Sequence, residues 1–501
     1  MSMEFAAAER DRLNIATERA VLKRRSVRGA GATLGAQGVR FVLQFAAQIV
    51  LAHKLAPGEF GLVAMVAPVL SLTQIFNDLG LTQATVQRAS ISHRELSALF
   101  WLNLLISLGL AGLLAAAAPL VAWFYGQPRL VPIVAASASL LVLSGAAAQQ
   151  IALLNRRMQF TALASIDVTC ACAAFAVGLA AAWNGYGVWS LVLMQAANSL
   201  AILALAWTLS DWVPGPPRRG ENIATLVHFG GHLTGFNLLA YAESNLGNVL
   251  IGRVSGAVAV GLYDRAYKLV IVPWWQISLP IARVAVSLLS RLAGAPSDYA
   301  TAWRRMLQGL LLVAAPGLLW AALTADRLTP ALLGPGWHAA APMATDLALA
   351  TMLVPFGASA YWLFVSQGRV REQLRFGAAT GTALVASAVI GVHWGPLGVA
   401  RCYALFAPFV QGLPLWGATR HGPVRGVQAW QACWPMVPAL TAAAAAVVLA
   451  AALLPGPPTC GLLALLLVFS YGACGATLMC FPAGIAIMRD VWVLREMLMR
   501  P

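Results

Sequence analysis

Runs of 18 or more apolar residues recur from Gly29 almost to the C-terminus of this 501-residue chain, with only short polar breaks between them. In lipid every backbone N–H and C=O has to be satisfied within the spanning structure itself, so a series of runs this long dictates a bundle of transmembrane helices. The sequence therefore predicts an all-α polytopic membrane protein. Only 10% of the residues are charged, and the longest polar stretches are residues 1–28 and short loops, which leaves no room for a soluble catalytic domain. The 17 Trp suit the headgroup boundary and the 44 Gly suit close helix approach.

A net charge of +15 in a soluble protein would suggest nucleic acid, but here the distribution decides otherwise. With the N-terminus on the cytoplasmic side, 24 of the 33 Lys and Arg fall on the inner side, in every second loop. That excess sets orientation by the positive-inside rule, places both termini in the cytoplasm, and gives no reason to expect a nucleic-acid partner. Residues 1–28 carry no cleavable signal and read either as a helix on the anionic inner leaflet or as a solvated tail that enforces orientation.

Charge alternation and hydropathy together fit 14 spans, which divide the chain into a basic N-terminal segment (1–28), a first lobe of six spans (29–210), a linker (211–225), a second lobe of six spans (226–418), two further spans (434–482) and a cytoplasmic tail (483–501). Spans seven and eight are expected at 226–248 and 265–289, with a loop between them. The linker contains DWVPGPPRRGEN, which cannot be helical throughout.

The lobes echo each other. Gln37, Gln44, Gln48, Gly61 and Leu62 fall opposite Asn237, Ser244, Asn248, Gly261 and Leu262, 200 residues on. APLVAWFYGQP after span three matches ADRLTPALLGPGW after span nine, and NRRMQF from Asn155 matches GRVREQLRF from Gly368. Equivalent loops on equivalent sides imply a parallel repeat about an axis along the membrane normal.

Polar groups inside the spans are the candidate functional residues. An arginine at the bilayer centre costs about 2.5–3.5 kcal/mol on insertion scales, so it needs water, a partner or a path to the interface. Arg40 sits in span one, and Gln37, Arg40, Gln44 and Gln48 share one helix face. Span seven repeats the stripe with Thr234, Asn237, Tyr241, Ser244 and Asn248, but Ala240 stands where Arg40 would be. Such stripes face a lumen between the lobes or make hydrogen bonds between helices. Arg283, three residues after Pro280, is the second candidate for an anionic ligand, with snorkelling to the inner interface as its plain alternative. Lys268 and Arg401 are expected to reach the headgroups. Among the acids, Glu243 and Asp167 lie deepest in apolar sequence; either carries a coupling ion or neutralises an arginine. Gln195 and Asn198 add polarity to span six.

The seven cysteines lie in or beside apolar spans as small buried hydrophobes, and Cys170 and Cys172 have no second pair to form a metal site. His228 and His232 are spaced i, i+4 but have no third ligand nearby, so no metal is expected. No phosphate loop, no GxSxG elbow and no sizeable acidic loop occurs, so no catalytic residue and no cofactor is expected. A membrane-embedded polymerase or glycosyltransferase would need one large loop bearing such residues.

The run NLGNVLIGRVSGAVAVGLYDRAYKL, and LGAQGVRFVLQFAAQIVLAHKLAPGEFGLVAMV with FNDLGLTQATVQR in the first half, resemble the openings of the two halves of bacterial oligosaccharide flippases of the polysaccharide exporter group. That group belongs to the multidrug/oligosaccharidyl-lipid/polysaccharide exporter superfamily, which also holds multidrug extruders and the lipid II flippase. The resemblance covers residues 30 to 420. It implies two six-helix lobes around a cationic lumen that alternates between inward and outward access. It also implies a polyprenyl-diphosphate-linked oligosaccharide turned across the bacterial inner membrane for surface polysaccharide assembly. Polysaccharide polymerase and assembly proteins would be partners. Under it, Arg40 and Arg283 hold the diphosphate, and Gln37, Gln44, Gln48, Asn237, Tyr241, Ser244 and Asn248 line the cavity. A multidrug extruder of the same superfamily would be expected to carry acids there instead.

Overall fold

The computed structural model describes residues 19–78, 82, 85, 91–216, 224–454 and 459–489; the side chains of 19–34, 78, 224–240 and 242–244 lie outside that description. Among the described residues the regular structure is all helical. In chain order the first helices are α1 (Arg19–Ala52), α2 (Pro57–Asp78), α3 (His93–Tyr125), α4 (Leu130–Arg156), α5 (Phe160–Trp183) and α6 (Trp189–Ser210). A continuous helical run, Ala224–Arg291, breaks at Gly256 (φ 81°, ψ −178°) into α7 (224–255) and α8 (257–291). Then come α9 (Pro296–Leu323), a short α10 (Ala325–Leu333), α11 (Ala341–Thr351), α12 (Val354–Ser366), α13 (Val370–Gly391), α14 (Gly395–Arg420), α15 (Gly426–Cys433), α16 (Met436–Leu453) and α17 (Cys460–Met479).

Among the described residues, twelve helical stretches are long and apolar enough to cross a membrane, and four of them, Asn245–Arg291, Pro335–Ser366, Val370–Arg420 and Gly426–Leu453, each hold more than one helix. This is a multi-pass membrane protein. Spans seven and eight need a correction: no loop separates them. One glycine at positive φ turns the chain, a conformation that side chains disfavour, and the helix resumes at once. The correction moves Asp264, Arg265 and Lys268 from the rim of a loop into the first turns of α8.

By contact the chain forms two compact units, Met1–Asn245 with Gly256–Val258, and Leu246–Ser255 with Ala259–Pro501. They divide within α7, downstream of the Pro-rich connector. Inside the first unit α3 packs on α4, α5 on α6, and α4 on α6; inside the second, α9 packs on α11, α13 on α14, and α11 and α12 on α14. The repeat read from the sequence is thus a repeat of packing.

Loop conformations repeat as well. Met158 (φ 54°) and Gly368 (φ 70°) each stand two residues before a helix, α5 and α13, in the left-handed region. Beside each, a loop arginine reaches the end of the following lobe-closing helix. Arg157 Nη1 donates to the Ser210 carbonyl at 2.5 Å, and Arg369 Nη1 and Nη2 donate to the carbonyls of Ala418 (3.0 Å) and Gly417 (3.2 Å). A cation at a helix C-terminus meets orphan carbonyls and the negative end of the dipole. The same physical job is done at the same place in both units.

Small residues set the closest approaches. A Cβ on Gly145 of α4 would lie 1.9 Å from Ser107 Oγ of α3, and one on Gly61 of α2 would lie 1.7 Å from the Ala257 carbonyl oxygen, so neither helix pair could close with a larger residue.

Candidate functional site

The glutamine stripe on α1 leads directly to a cavity. α1 packs along α5, and where they meet Arg40 Nη1 donates to Asp167 Oδ1 at 2.8 Å. The two side chains are 45% and 35% exposed. An arginine presents five N–H donors, and this pair engages one nitrogen, leaving most of the guanidinium fork turned outward. Asp167 therefore neutralises Arg40 without enclosing it.

One turn further along the same face, Gln44 and Gln48 line a cavity of about 510 Å³ inside the first unit. Its other walls are Gln74 of α2, Ser137 and Ser144 of α4, and Gln195, Asn198 and Ser199 of α6, with Leu141, Phe175, Met194 and Ile202 among the apolar contacts. No charged side chain is among the described lining residues. Gln48 Oε1 is buried and accepts no hydrogen bond from any described group. A buried carbonyl oxygen without a donor costs about 1–3 kcal/mol, so it is a position where a ligand hydroxyl or amide gains by binding. Polar groups converging on a partly apolar cavity of this size are what a small-molecule site consists of.

The second unit arranges its charges differently. Asp264, 4% exposed, accepts from Arg265 Nη2 at 2.6 Å and from Lys268 Nζ at 3.0 Å. Arg265 is itself only 5% exposed. Lys268 bonds back to Asp264, one helical turn away, while its side chain stays 41% exposed. Tyr263 is buried beside this turn, with its ring 6.4 Å from that of Tyr267. Arg401 approaches Asp346 at 3.6 Å.

The other residues marked in the sequence fall as follows. Gln37 is exposed on α1 beside Arg40, and Tyr241 and Asn248 are half-buried on α7. Arg283 is exposed on α8 in the second unit. The side chains of His228, His232, Asn237, Glu243 and Ser244 lie outside the described residues. Sequence reasoning placed Gln44 and Gln48 on a functional face and noted Gln195 and Asn198. It passed over Gln74, Ser137, Ser144 and Ser199, single polar residues in apolar helices whose convergence depends on the packing. It also passed over Asp264, which the expected loop would have left in water.

The family model described as polysaccharide biosynthesis protein matches residues 50–342. The lipopolysaccharide biosynthesis protein WzxC of Escherichia coli (strain K12) is 22% identical over 391 residues, covering 77% of this chain and 79% of that protein. The teichuronic acid biosynthesis protein TuaB of Bacillus subtilis (strain 168) is 29% identical over 285 residues, covering 56% of this chain and 58% of its own. Among solved structures, the lipid II flippase MurJ in an inward closed conformation superposes with a TM-score of 0.71 at 10% identity, covering 90% of this chain and 98% of that one. An inward-facing multidrug resistance transporter of the MATE family does so at 0.54 and 17% identity, covering 76% and 94%. At these identities the structural likeness establishes the fold.

Proposed function

This chain belongs to the polysaccharide biosynthesis protein family, and from that premise we propose that it is a flippase. It turns polyprenyl-diphosphate-linked oligosaccharide units from the inner to the outer leaflet of the bacterial inner membrane by alternating access, for surface polysaccharide assembly, and catalyses no covalent step. The observation that carries the reading is the half-open Arg40, held by Asp167 through one nitrogen, one helical turn from the Gln44 that lines an amide-rich cavity.

A diphosphate needs a cation where water is scarce, and a guanidinium meets phosphate oxygens with two parallel hydrogen bonds. Asp167 keeps that cation neutralised while the site is empty and gives way as the phosphate arrives. The displaced carboxylate then takes up a coupling cation or proton. Arg283, open on α8, assists, and the amides and hydroxyls of Gln37, Gln44, Gln48, Asn237, Tyr241, Ser244 and Asn248 meet the glycan. The lipid tail needs only a gap between helices and stays in the bilayer. WzxC and TuaB, named for lipopolysaccharide and teichuronic acid biosynthesis, support the glycan as cargo, and the arginine-rich alternate loops support a cytoplasmic side for both termini.

Deletion of the protein in its host, followed by extraction of membrane lipids, tests the reading. A lipid-linked oligosaccharide should accumulate on the inner leaflet and clear when the wild-type chain is restored. Unchanged lipid pools together with new sensitivity to cationic drugs would point to a drug extruder instead.

A further inference from the structure

We infer that a buried polar seam along α2, α3 and α4 holds a file of water molecules, and that this file lets the cavity of the first unit exchange water with the inner face of the membrane. The water site stands apart from the flippase reading; only the exchange role rests on it.

α3 and α4 pack as an antiparallel pair, and a Cβ on Gly145 of α4 would meet Ser107 of α3, which fixes their register. Gln149, one turn further along α4, is therefore level with Asn103, one turn back along α3. Gly145, Gln149, Ala152 and Arg156 follow the i, i+4, i+7, i+11 spacing of one helix face, a run of about 16 Å at 1.5 Å per residue. At its head, Ser107 Oγ donates to Asn77 Oδ1 of α2 at 2.6 Å. At its foot, Thr85 Oγ1 donates to Gln149 Oε1 at 3.2 Å, and Arg156 Nη1 donates to the Thr85 carbonyl at 2.9 Å. None of Asn77, Thr85, Asn103, Ser107, Gln149 and Arg156 is more than 7% exposed.

Bonds such as these fasten helices to one another, but Asn103 stands outside them. Neither its Nδ2 nor its Oδ1 has a hydrogen-bond partner among the described residues, and Gln149 Nε2 has none either. Two amide nitrogens thus call for acceptors, and one amide oxygen calls for a donor. An anion would serve only the nitrogens and a cation only the oxygen. Water serves both, and buried water held by about three hydrogen bonds to polar groups is a regular part of folded proteins. The seam starts beside the cavity, since Asn77 lies one turn beyond Gln74 on α2, Gly145 follows Ser144 on α4, and Gln74 and Ser144 both line the cavity. It finishes at Arg156, the last residue of α4, whose charge admits neutral water and repels cations and protons. A cavity that opens and closes has to take up and shed water, and the seam supplies a route separate from that of the cargo.

Hydroxyl-radical labelling of the full chain in nanodiscs tests the site, because radicals formed in bound water oxidise the side chains beside it. Leu99, Phe100 and Leu153, each one turn from Asn103 or Gln149 and at most 3% exposed, should be oxidised far faster than Leu307 and Leu310, which are as deeply buried in α9. In Asn103→Leu/Gln149→Leu that excess should vanish. Equal labelling of the two sets in wild type, or an excess that survives the double substitution, would overturn the seam, and the wild-type comparison decides even where the double variant does not fold. A double variant that melts higher than wild type would overturn it too, because amides bonded to water lose those bonds on replacement, whereas dry unpartnered amides are relieved. The exchange role is read separately, from translocation of lipid-linked oligosaccharide in liposomes, where the double variant should be severalfold slower. A double variant that has lost the labelling and still transports at the wild-type rate would overturn that role while leaving the water site in place.

Discussion

In the first unit the charged pair Arg40 and Asp167 is 45% and 35% open and stands one helical turn from the cavity-lining Gln44 and Ala171, while in the second Asp264 and Arg265 are 5% exposed or less and shut into the start of a helix. The two sets stand on different elements, α1 and α5 in the first unit and α8 in the second, and neither recurs at the matching position of the other unit. Ala240 takes the place of Arg40, and Ala64 and Met65 take the places of Asp264 and Arg265. Magnitudes separate their roles. An open ion pair adds about 0–1 kcal/mol, whereas removing one partner from a buried one costs about 3–5 kcal/mol. The difference teaches that duplication kept the scaffold, with its arginine-capped helix ends and left-handed loop residues, and that charge diverged on top of it. One unit kept a cation available to a ligand. The other used its charges to fix a helix beside the Gly256 break.

This contrast can be broken most forcefully at Asp264. Asp264→Ala leaves Arg265 without its buried carboxylate, and a loss of about 3–5 kcal/mol is expected, read as a large fall in melting temperature in detergent. Wild-type melting would show that the cluster is not structural. Next is Arg369→Ala, which strips the α14 carbonyls of a charged donor and should cost about 1.5–3 kcal/mol in the same assay. Gly61→Ala pushes a Cβ into the Ala257 carbonyl, and an overpacking cost of about 1–3 kcal/mol should follow, with transport slowed as the α2 contact is forced apart. The smallest stability effect belongs to Asp167→Ala, at most about 1 kcal/mol, because its pair is open. A loss there as large as that of Asp264→Ala would erase the distinction between the units.

Much of this was legible in the sequence, for reasons that particular residues show. The apolar runs fixed helices, and the loops at Met158 and Gly368 could be matched because turns are local. The stripe on α1 was visible because Arg40, Gln44 and Gln48 recur with helical period. Asp167 as the partner of Arg40 was not, since 127 residues separate them and only the packing of α1 on α5 joins them. Gln74, Ser137 and Ser144 are isolated in apolar helices, with no periodic signal until five helices meet around one cavity. Asp264 was missed through a wrong local expectation. The glycine and polar residues around Gly256 read as a loop, and a single residue at positive φ made the turn instead.

The central claim, that the open cation of the first unit carries the substrate, is tested most directly by translocation in liposomes. Full chain, wild type or Arg40→Ala, is reconstituted with labelled lipid-linked oligosaccharide, and the fraction reaching the opposite leaflet is followed with an impermeant probe. The account predicts that Arg40→Ala reduces the rate at least tenfold while melting within about 1 kcal/mol of wild type, with Arg40→Lys in between because it keeps the charge and loses the fork. Transport by Arg40→Ala at the wild-type rate would contradict it.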